Sequence, residues 1–156
     1  MKGGIGMPYI INENTVALLP NGKKTKILEL NQERLLEESI SKILEYNCNI
    51  NGSTFEGRRK GSSYLIGVSY KSPIIVDEIK RIILIPTHSS KNPNCSWFVL
   101  ENILKYYLNK NHQVTIIFKN NQKMDLNLCY ANFDKQVLRA TRLESSIRGR
   151  KHIKNL

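Results

Sequence analysis

Short runs in which apolar and polar residues alternate predict several β-strands. Residues 15–19 and 24–30 are two such runs, and Pro20-Asn21-Gly22 lies between them. Proline fixes φ and Asn-Gly tolerates a positive φ, so we expect a tight turn between these two strands. Further strands are predicted at residues 9–11, 64–71, 74–76, 81–85, 114–118 and 124–128, of which the last two form a hairpin.

Apolar residues at helical spacing predict a first helix in residues 31–46. Either Asn31 or Ser39 is its candidate N-cap, since both side chains can accept a hydrogen bond from a free backbone N–H. If Ser39 is the cap, residues 33–37 are expected to be extended instead. Residues 97–108 contain apolar, aromatic and polar side chains in succession, which is compatible with either a strand or a helix.

A second helix is predicted at residues 133–147, with Asn132 as its cap. At 100° per residue its apolar side chains fall in one arc. Three basic residues, Lys135, Arg139 and Arg142, fall on the opposite side. This arrangement predicts a helix that packs on the core and exposes a basic face.

The sum of these elements is an α+β fold, with a mostly antiparallel sheet and about two helices. A chain of 156 residues is long enough for one domain with a sizeable core. We place that domain at residues 1–148 and a basic C-terminal tail at residues 149–156. Residues 47–63 are predicted to be a loop because they are rich in Asn, Gly and Ser.

The charge of the chain is strongly positive and unevenly distributed. There are 24 Lys and Arg against 13 Asp and Glu, a formal net charge of +11. The net charge is zero in residues 1–50, +4 in 51–100 and +7 in 101–156. A one-sided basic surface favours a polyanionic partner because phosphates attract Lys and Arg. A basic protein whose charge serves only solubility is the alternative.

The sequence shows no sign of a membrane segment or a secretion signal. No apolar run approaches the roughly 20 residues that cross a bilayer, and residues 1–8 lack an apolar signal region. We therefore expect a cytoplasmic protein without a membrane partner. Cys48, Cys95 and Cys129 are expected to be reduced thiols. Because the chain has no CxxC or HxxxH pair, we expect neither a metal nor a cofactor.

Candidate catalytic groups are few. Glu78-Ile79-Lys80 follows an apolar run, as in one limb of a metal-dependent nuclease site, but only Glu56 is available upstream as a second carboxylate. A charged turn is the simpler interpretation. Cys95 and His88 could form a nucleophile and base, although no third group is evident to orient them. We expect that the protein is not an enzyme.

A basic segment, Gly57-Arg58-Arg59-Lys60-Gly61, places three cations between two glycines. Glycine lets a backbone approach another surface closely. Arginine side chains fit the narrow minor groove of A·T-rich DNA, where the negative potential is concentrated. The segment is therefore a candidate DNA-contacting loop, and a solvated basic turn is the alternative.

Four segments stand in a distinctive order and spacing along the chain. They are Ser53-Thr54-Phe55-Glu56-Gly57-Arg58-Arg59-Lys60-Gly61, Ser72-Pro73-Ile74-Ile75-Val76-Asp77, Ile83-Leu84-Ile85-Pro86-Thr87-His88-Ser89-Ser90 and Cys95-Ser96-Trp97. With residues 120–122 and 136–140, this pattern resembles the ComK family of competence transcription factors. Family members usually continue well past the position that matches Arg150, so the chain is interpreted as a short paralogue.

The resemblance implies a cytoplasmic, nucleoid-associated activator of genes for DNA uptake, without enzymatic activity. It implies binding to paired A·T-rich boxes in double-stranded DNA, largely through the minor groove. It implies dimers that assemble further on the promoter, and therefore a homo-oligomer on DNA. It also implies contacts with RNA polymerase, and with an adaptor and an ATP-dependent protease that set the level of the protein.

The candidate DNA-binding residues follow from the basic segment and the basic helix face. Minor-groove contacts are assigned to Arg58, Arg59 and Lys60, and phosphate contacts to Lys135, Arg139 and Arg142. Residues 86–90 are expected to form a shaped loop near the DNA. An RNA-binding basic domain and a metal-dependent nuclease are the alternative functions.

Overall fold

Antiparallel pairing between strands builds the larger of two sheets. In the computed structural model, which describes the backbone of residues 7–154 and the side chains of residues 7–148, this sheet has six strands. Their order across the sheet is β3 (Glu33–Leu36), β2 (Lys24–Glu29), β1 (Thr15–Asn21), β6 (Trp97–Val99), β5 (Ile82–Pro86) and β4 (Ile74–Asp77). Gly22 makes the predicted turn from β1 to β2 with a φ of 64°.

A second, antiparallel sheet of three strands follows. Its order is β7 (Ile103–Leu108), β8 (Gln113–Phe118) and β9 (Lys123–Cys129). A short 3-10 turn connects β6 to β7, and the buried Asn102 in that turn donates hydrogen bonds to the carbonyl oxygens of Glu13 and Thr15 at 2.8 and 2.7 Å. These bonds hold the start of the second sheet against the segment that leads into β1.

The helices of the described part are α1 (Ile40–Ile50), α2 (Phe55–Ile66) and α3 (Tyr130–Lys154). Ser39 Oγ caps α1 by accepting from the backbone N–H of Lys42 at 3.3 Å. Thr54 Oγ1 caps α2 by accepting from the N–H of Gly57 at 2.9 Å. Gly67 ends α2 in the left-handed conformation, with a φ of 69° that favours glycine.

Both faces of the six-stranded sheet are covered, so successive side chains on its central strands enter two different cores. Phe98 enters the core shared with the second sheet and α3, where its ring centroid lies 6.1 Å from that of Phe118 and 6.3 Å from that of Phe133. Trp97 enters the other core, beneath α1. This double coverage explains why residues 82–85 are continuously apolar.

The α+β class and most of the predicted strands are confirmed. Residues 33–37 follow the extended alternative, because β3 occupies most of them and Ser39 caps the helix. The predicted hairpin at residues 114–118 and 124–128 is β8 and β9. Residues 97–108 form two strands and a 3-10 turn rather than an α-helix.

The loop predicted at residues 47–63 is wrong. Helix α1 continues to Ile50 and α2 begins at Phe55, so the described chain has three α-helices instead of about two. The strand predicted at residues 64–71 is wrong as well, since it falls on the end of α2 and the following loop. Gly57 and Gly61 weaken the helical signal of this segment, whereas a buried inner face and two capped ends stabilise the helix.

Helix α3 is longer than the prediction of residues 133–147. It includes Asn132, which is therefore not its cap, and its backbone remains helical beyond Arg148. Glu144 lies within its apolar arc with 17% of the side chain exposed, and it pairs with Arg148 at 2.8 Å and Arg81 at 3.9 Å. These two partners explain an acidic residue at a position that otherwise faces the core.

The segment before β1 is ordered without being a strand, contrary to the prediction for residues 9–11. The Asn47 side chain in α1 accepts from the N–H of Ile11 and donates to the carbonyl of Tyr9, both at 2.9 Å. The Tyr9 hydroxyl donates to Glu29 at 2.6 Å, and burial raises the pKa of this hydroxyl. The segment is thus held by side-chain hydrogen bonds rather than by strand pairing.

Replacing Phe98 with alanine is expected to destabilise the protein by about 3–5 kcal/mol, because it removes the ring between Phe118 and Phe133 and leaves a cavity. Urea unfolding followed by circular dichroism measures the change. Leu35→Ala is the control, since that side chain is 57% exposed and should change stability by no more than about 0.5 kcal/mol. Equal losses for the two variants would contradict the placement of Phe98.

Candidate nucleic-acid interface

A groove of about 720 Å³ opens at one end of the six-stranded sheet, where β5 ends and β6 begins. Five parts of the chain surround it: the β1–β2 turn, the beginnings of α1 and α2, the loop at residues 69–72 and the loop at residues 86–95. These parts are far apart in sequence, so the groove exists only in the folded chain.

The groove is predominantly basic. Among the described residues, two carboxylates line it, and both are engaged: Glu45 accepts from the N–H of Phe55 at 2.8 Å, and Glu56 pairs with Arg59. The Arg59 hydrogen bond lowers the pKa of Glu56, so this carboxyl is ionised at neutral pH. The basic residues that line the groove are Lys23, Lys24, Arg59, Lys71 and Lys91. Cations outnumber carboxylates, so the groove attracts a polyanion.

An aromatic side chain stands at the groove, in the loop that follows α2. The side chain of Tyr70 is 62% exposed, and the Lys71 ammonium group lies 5.6 Å from its ring centroid. Lys71 has a φ of 53°, an uncommon conformation for a residue with a side chain. The loop therefore presents a flat apolar ring beside a cation, a pairing that suits sugar or base surfaces as well as phosphates.

The predicted basic loop is part of a helix, and its three cations point in different directions. Arg58 Nη2 donates to the carbonyl of Asn51 at 3.1 Å, and its Nε is buried. Arg59 lines the groove while pairing with Glu56. Lys60 is exposed and does not line the groove. Of the three, the folded chain brings only Arg59 to the groove.

The predicted basic face of α3 is divided in the same way. Lys135 is exposed to solvent. Arg139 Nη1 donates to the carbonyl of Tyr70 at 3.2 Å, and Arg142 Nη2 donates to the carbonyl of Ile66 at 3.1 Å. The Arg142 contact places a cation at the C-terminal end of α2, where free carbonyls and the helix dipole favour positive charge. The two arginines thus fasten α2 and the Tyr70 loop to α3.

Gln136 is the residue that joins α3 to both groove loops, and the sequence reasoning missed it. Its buried Nε2 donates to the carbonyl of Lys71 at 2.8 Å and to that of Pro86 at 3.0 Å. The groove lysines were missed as well, because they lie in three segments that are far apart in the sequence. A polar residue inside the apolar arc of α3 was the available signal for Gln136, since buried amides require partners.

The loop predicted at residues 86–90 is present beside the groove and is braced by hydrogen bonds. The hydroxyl of Thr87 accepts from the N–H of Ser96 at 2.8 Å and lies 2.8 Å from His88 Nδ1. Cys95 Sγ donates to the carbonyl of His88 at 3.3 Å, not to its imidazole, and burial raises the pKa of this thiol. This geometry contradicts a nucleophile–base pair of Cys95 and His88.

The residues of the nuclease alternative form a turn. The Asp77 carboxylate accepts from the N–H of Lys80 at 3.0 Å between β4 and β5. Among the described side chains, those of residues 7–148, no three from His, Cys, Asp or Glu are arranged to hold a metal ion. In the part of the chain that the structure describes, no helix is both long and apolar enough to span a bilayer.

An α+β domain with a basic groove at one sheet end has the surface of a polyanion-binding protein. Comparison with known proteins gives its family: the model described as ComK protein matches residues 7–152. The competence transcription factor of Bacillus subtilis (strain 168) is 30% identical over 146 residues, which cover 91% of this chain and 76% of that protein. No solved structure matches. The chain belongs to the ComK family and is a competence transcriptional regulator.

Thiol accessibility tests the burial of the groove and the α1 core. At pH 8 we expect Ellman's reagent to modify the exposed Cys129 quickly, while the buried Cys48 and Cys95 react slowly. Burial raises the pKa of Cys48 to about 11, so this thiol stays protonated in the folded protein at that pH.

Above pH 9 the raised pKa of Cys48 has a thermodynamic consequence. The thiol of the unfolded chain ionises first, so the stability that this group contributes is lost as the pH rises from about 9 to about 11.

In denaturant, all three thiols should react with Ellman's reagent at the same fast rate. Three equally fast thiols in the native protein would contradict the structure.

Proposed function

We propose that this regulator binds double-stranded, A·T-rich promoter DNA mainly through the minor groove, and that the basic groove is its principal contact surface. The observation that carries the proposal is the convergence in one groove of five described cations from four segments of the chain. Lys24 and Arg59 have the carboxylate partners Glu37 and Glu56, but more cations than carboxylates line the groove, and this excess of positive charge is unfavourable unless an anion neutralises it. A phosphate backbone is such an anion, and it is the expected partner of a transcription regulator.

The minor groove fits the chemistry of this surface. Minor-groove readout distinguishes little beyond A·T from G·C, so it depends on shape and cations more than on base-edge donors. Ser69, Ser89 and Ser90 line the basic groove of the protein. Their hydroxyls can donate to phosphates, which positions DNA without reading its sequence. Tyr70 is placed to contact sugars or to wedge at a base step.

The six residues predicted from the sequence take different roles in this proposal. Arg59 contacts DNA inside the groove, and Lys60 and Lys135 contact phosphates beside it. Arg139 and Arg142 fasten the loop and helix next to the groove, with their remaining N–H groups available to phosphates. Arg58 shapes the start of α2 through its contact with Asn51.

The wider assignment follows the family. We propose that residues 1–148 form the DNA-binding domain, that residues 149–156 add a basic tail, and that the protein acts as a homo-oligomer on DNA in the cytoplasm, at the nucleoid. Contacts with RNA polymerase and with an adaptor and protease, activation of DNA-uptake genes, and the lack of catalysis or a cofactor belong to the same proposal. An RNA-binding role is the second candidate, because an exposed aromatic ring beside cations also suits unpaired bases.

The double variant Arg59→Ala, Lys91→Ala is expected to weaken binding to an A·T-rich duplex at least about tenfold, since each close phosphate or base contact is worth about 1 kcal/mol or more. The slope of log K against log salt should become shallower by about 2, because each lost phosphate contact contributes about 0.9. Fluorescence anisotropy at several salt concentrations measures both.

The matched control is Lys110→Ala, Lys123→Ala, which removes the same charge from exposed positions outside the groove. Wild-type binding by the groove variant, or equal losses in both variants, would contradict the site. Tighter binding to structured RNA than to the duplex would favour the second candidate. Cleavage of a plasmid with Mg²⁺ or Mn²⁺ would favour the nuclease instead.

A further inference from the structure

Strand β7 is an edge strand that carries exposed apolar side chains. It pairs with β8 on one side, with a bulge between Ile103 and Lys105, and within the described residues 7–154 it has no strand partner on the other side. Leu104, Tyr107 and Leu108 are 52%, 40% and 53% exposed. Proteins usually protect a free edge with charges, bulges or a covering segment, because its unpaired N–H and C=O groups recruit another strand. Strand β7 has Lys105 and the bulge, but residues 105–108 beyond the bulge pair regularly with β8 and leave a free edge that carries Tyr107 and Leu108. This regular, largely apolar stretch points to a partner.

The other sheet edges in the described chain are protected. Strand β3 exposes Glu33, which pairs with Lys26 at 3.1 Å. Strand β9 alternates exposed polar residues with half-buried apolar ones. The edge of β4 is buried, and the Asn51 side chain donates to its Val76 carbonyl at 2.9 Å. Strand β3 has one exposed leucine, Leu35, whereas β7 has two leucines and a tyrosine.

A side chain of α3 extends this apolar edge. The Tyr106 hydroxyl donates to Asp134 at 2.6 Å, and Leu104 lines a second groove together with Thr141. Helix α3 therefore runs beside β7 at both points. Leu138 lies four residues after Asp134 and three residues before Thr141, on the same side of the helix, and it is 55% exposed.

We propose that this edge binds the same edge of a second copy, so that two three-stranded sheets join into one sheet of six strands. The partner is a second copy because the strand is complementary to itself in antiparallel register. In a two-fold pairing centred on Tyr106, Lys105 faces the partner's Tyr107, twice by symmetry, and ammonium groups bind aromatic faces. Leu104, which lies at the bulge of β7, comes next to the partner's Leu108 at the end of the regular pairing, so both exposed leucines become covered.

Neighbouring registers are less favourable, which makes the pairing specific. A two-fold axis perpendicular to the sheet must centre on one residue, because directly opposite side chains point to the same face. Centring on Lys105 would place two ammonium groups opposite each other. Centring on Tyr107 would place Leu104 opposite the partner's Lys110. Of these three registers, the one centred on Tyr106 avoids both conflicts, and like charges directly opposite each other destabilise a strand pair.

DNA should strengthen this association. Each copy carries a formal charge of +11, so two free copies repel each other, and duplex phosphates screen that repulsion. The inference thus names the contact surface of the proposed oligomer, and it rests on the proposed function for the statement that the oligomer assembles on DNA. The strand pairing itself is tested on the free protein, so the two proposals can fail separately.

The first experiment places a charge on the edge. Leu108→Lys is expected to weaken self-association at least tenfold, measured by sedimentation velocity with and without duplex DNA, because it puts an ammonium group opposite a buried leucine twice. Leu35→Lys adds the same charge to an equally exposed position on β3 and should leave association unchanged. Unchanged association of Leu108→Lys, or equal losses in both variants, would overturn the proposal.

The second experiment tests the register by disulfide formation in a Cys129→Ser background, where the remaining cysteines are buried. An equimolar mixture of Leu104→Cys and Leu108→Cys should cross-link to a dimer on mild oxidation. Neither variant alone should do so, since identical positions would be about 13 Å apart along the strands and a disulfide needs Cα atoms within about 7 Å. A mixture that fails to cross-link, or single variants that cross-link equally well, would overturn this register.

If the wild-type protein does not bind duplex DNA, the proposed function fails, and the cross-linking experiment still decides the strand pairing. If DNA binds normally but Leu108→Lys still assembles on it as the wild type does, the strand pairing fails alone. A loss of cooperative assembly in Leu108→Lys, with unchanged affinity for a single short duplex, supports both.

Discussion

Burial of one face of α3 against both sheets is the interaction on which the rest of the molecule depends. Phe133 of this helix meets Phe98 of the first sheet, and Tyr106 of the second sheet packs on Phe133 with ring centroids 5.4 Å apart. Without this helix the core between the two sheets stays open, since the three-stranded sheet has one apolar face to cover, whereas the core beneath α1 contains no α3 residue. The same helix then fixes the groove loops through Gln136, so core packing and groove shape are coupled.

The groove concentrates cations only because rigid backbone holds them there. Arg139 and Arg142 spend part of their hydrogen-bonding capacity on carbonyls of the α2 end and the Tyr70 loop, and Gln136 fastens the neighbouring loop as well. Flexible lysines alone would lose side-chain entropy on meeting a polyanion. Because the backbone that carries these side chains is already held in place, less conformational entropy is lost when the polyanion binds. The basic residues therefore divide into those that line the groove and those that hold the backbone beside it.

The basic segment at residues 57–61 shows where secondary-structure prediction from the local sequence fails. Its glycines and flanking serines favour a loop by propensity, and the helix is stabilised by features outside the segment. These are the Thr54 cap, the left-handed Gly67 and the burial of Ser62 and Ile66 against neighbouring elements. Once the segment is helical, Arg58, Arg59 and Lys60 are about 100° apart around its axis and cannot converge on one ligand.

The strand alternation, the turn at Gly22, the positive charge and the family are all predictable from the amino-acid sequence, because each depends on local periodicity, composition or ordered motifs. Which cations share a groove depends on the folded chain. Lys23 and Lys91 lie in turns between different strands, and no periodicity relates them. The folded chain also determines that two arginines on the solvent side of a predicted amphipathic helix bind backbone carbonyls. Hydrogen-bond partners distant in the chain appear only when packing brings their backbone within reach.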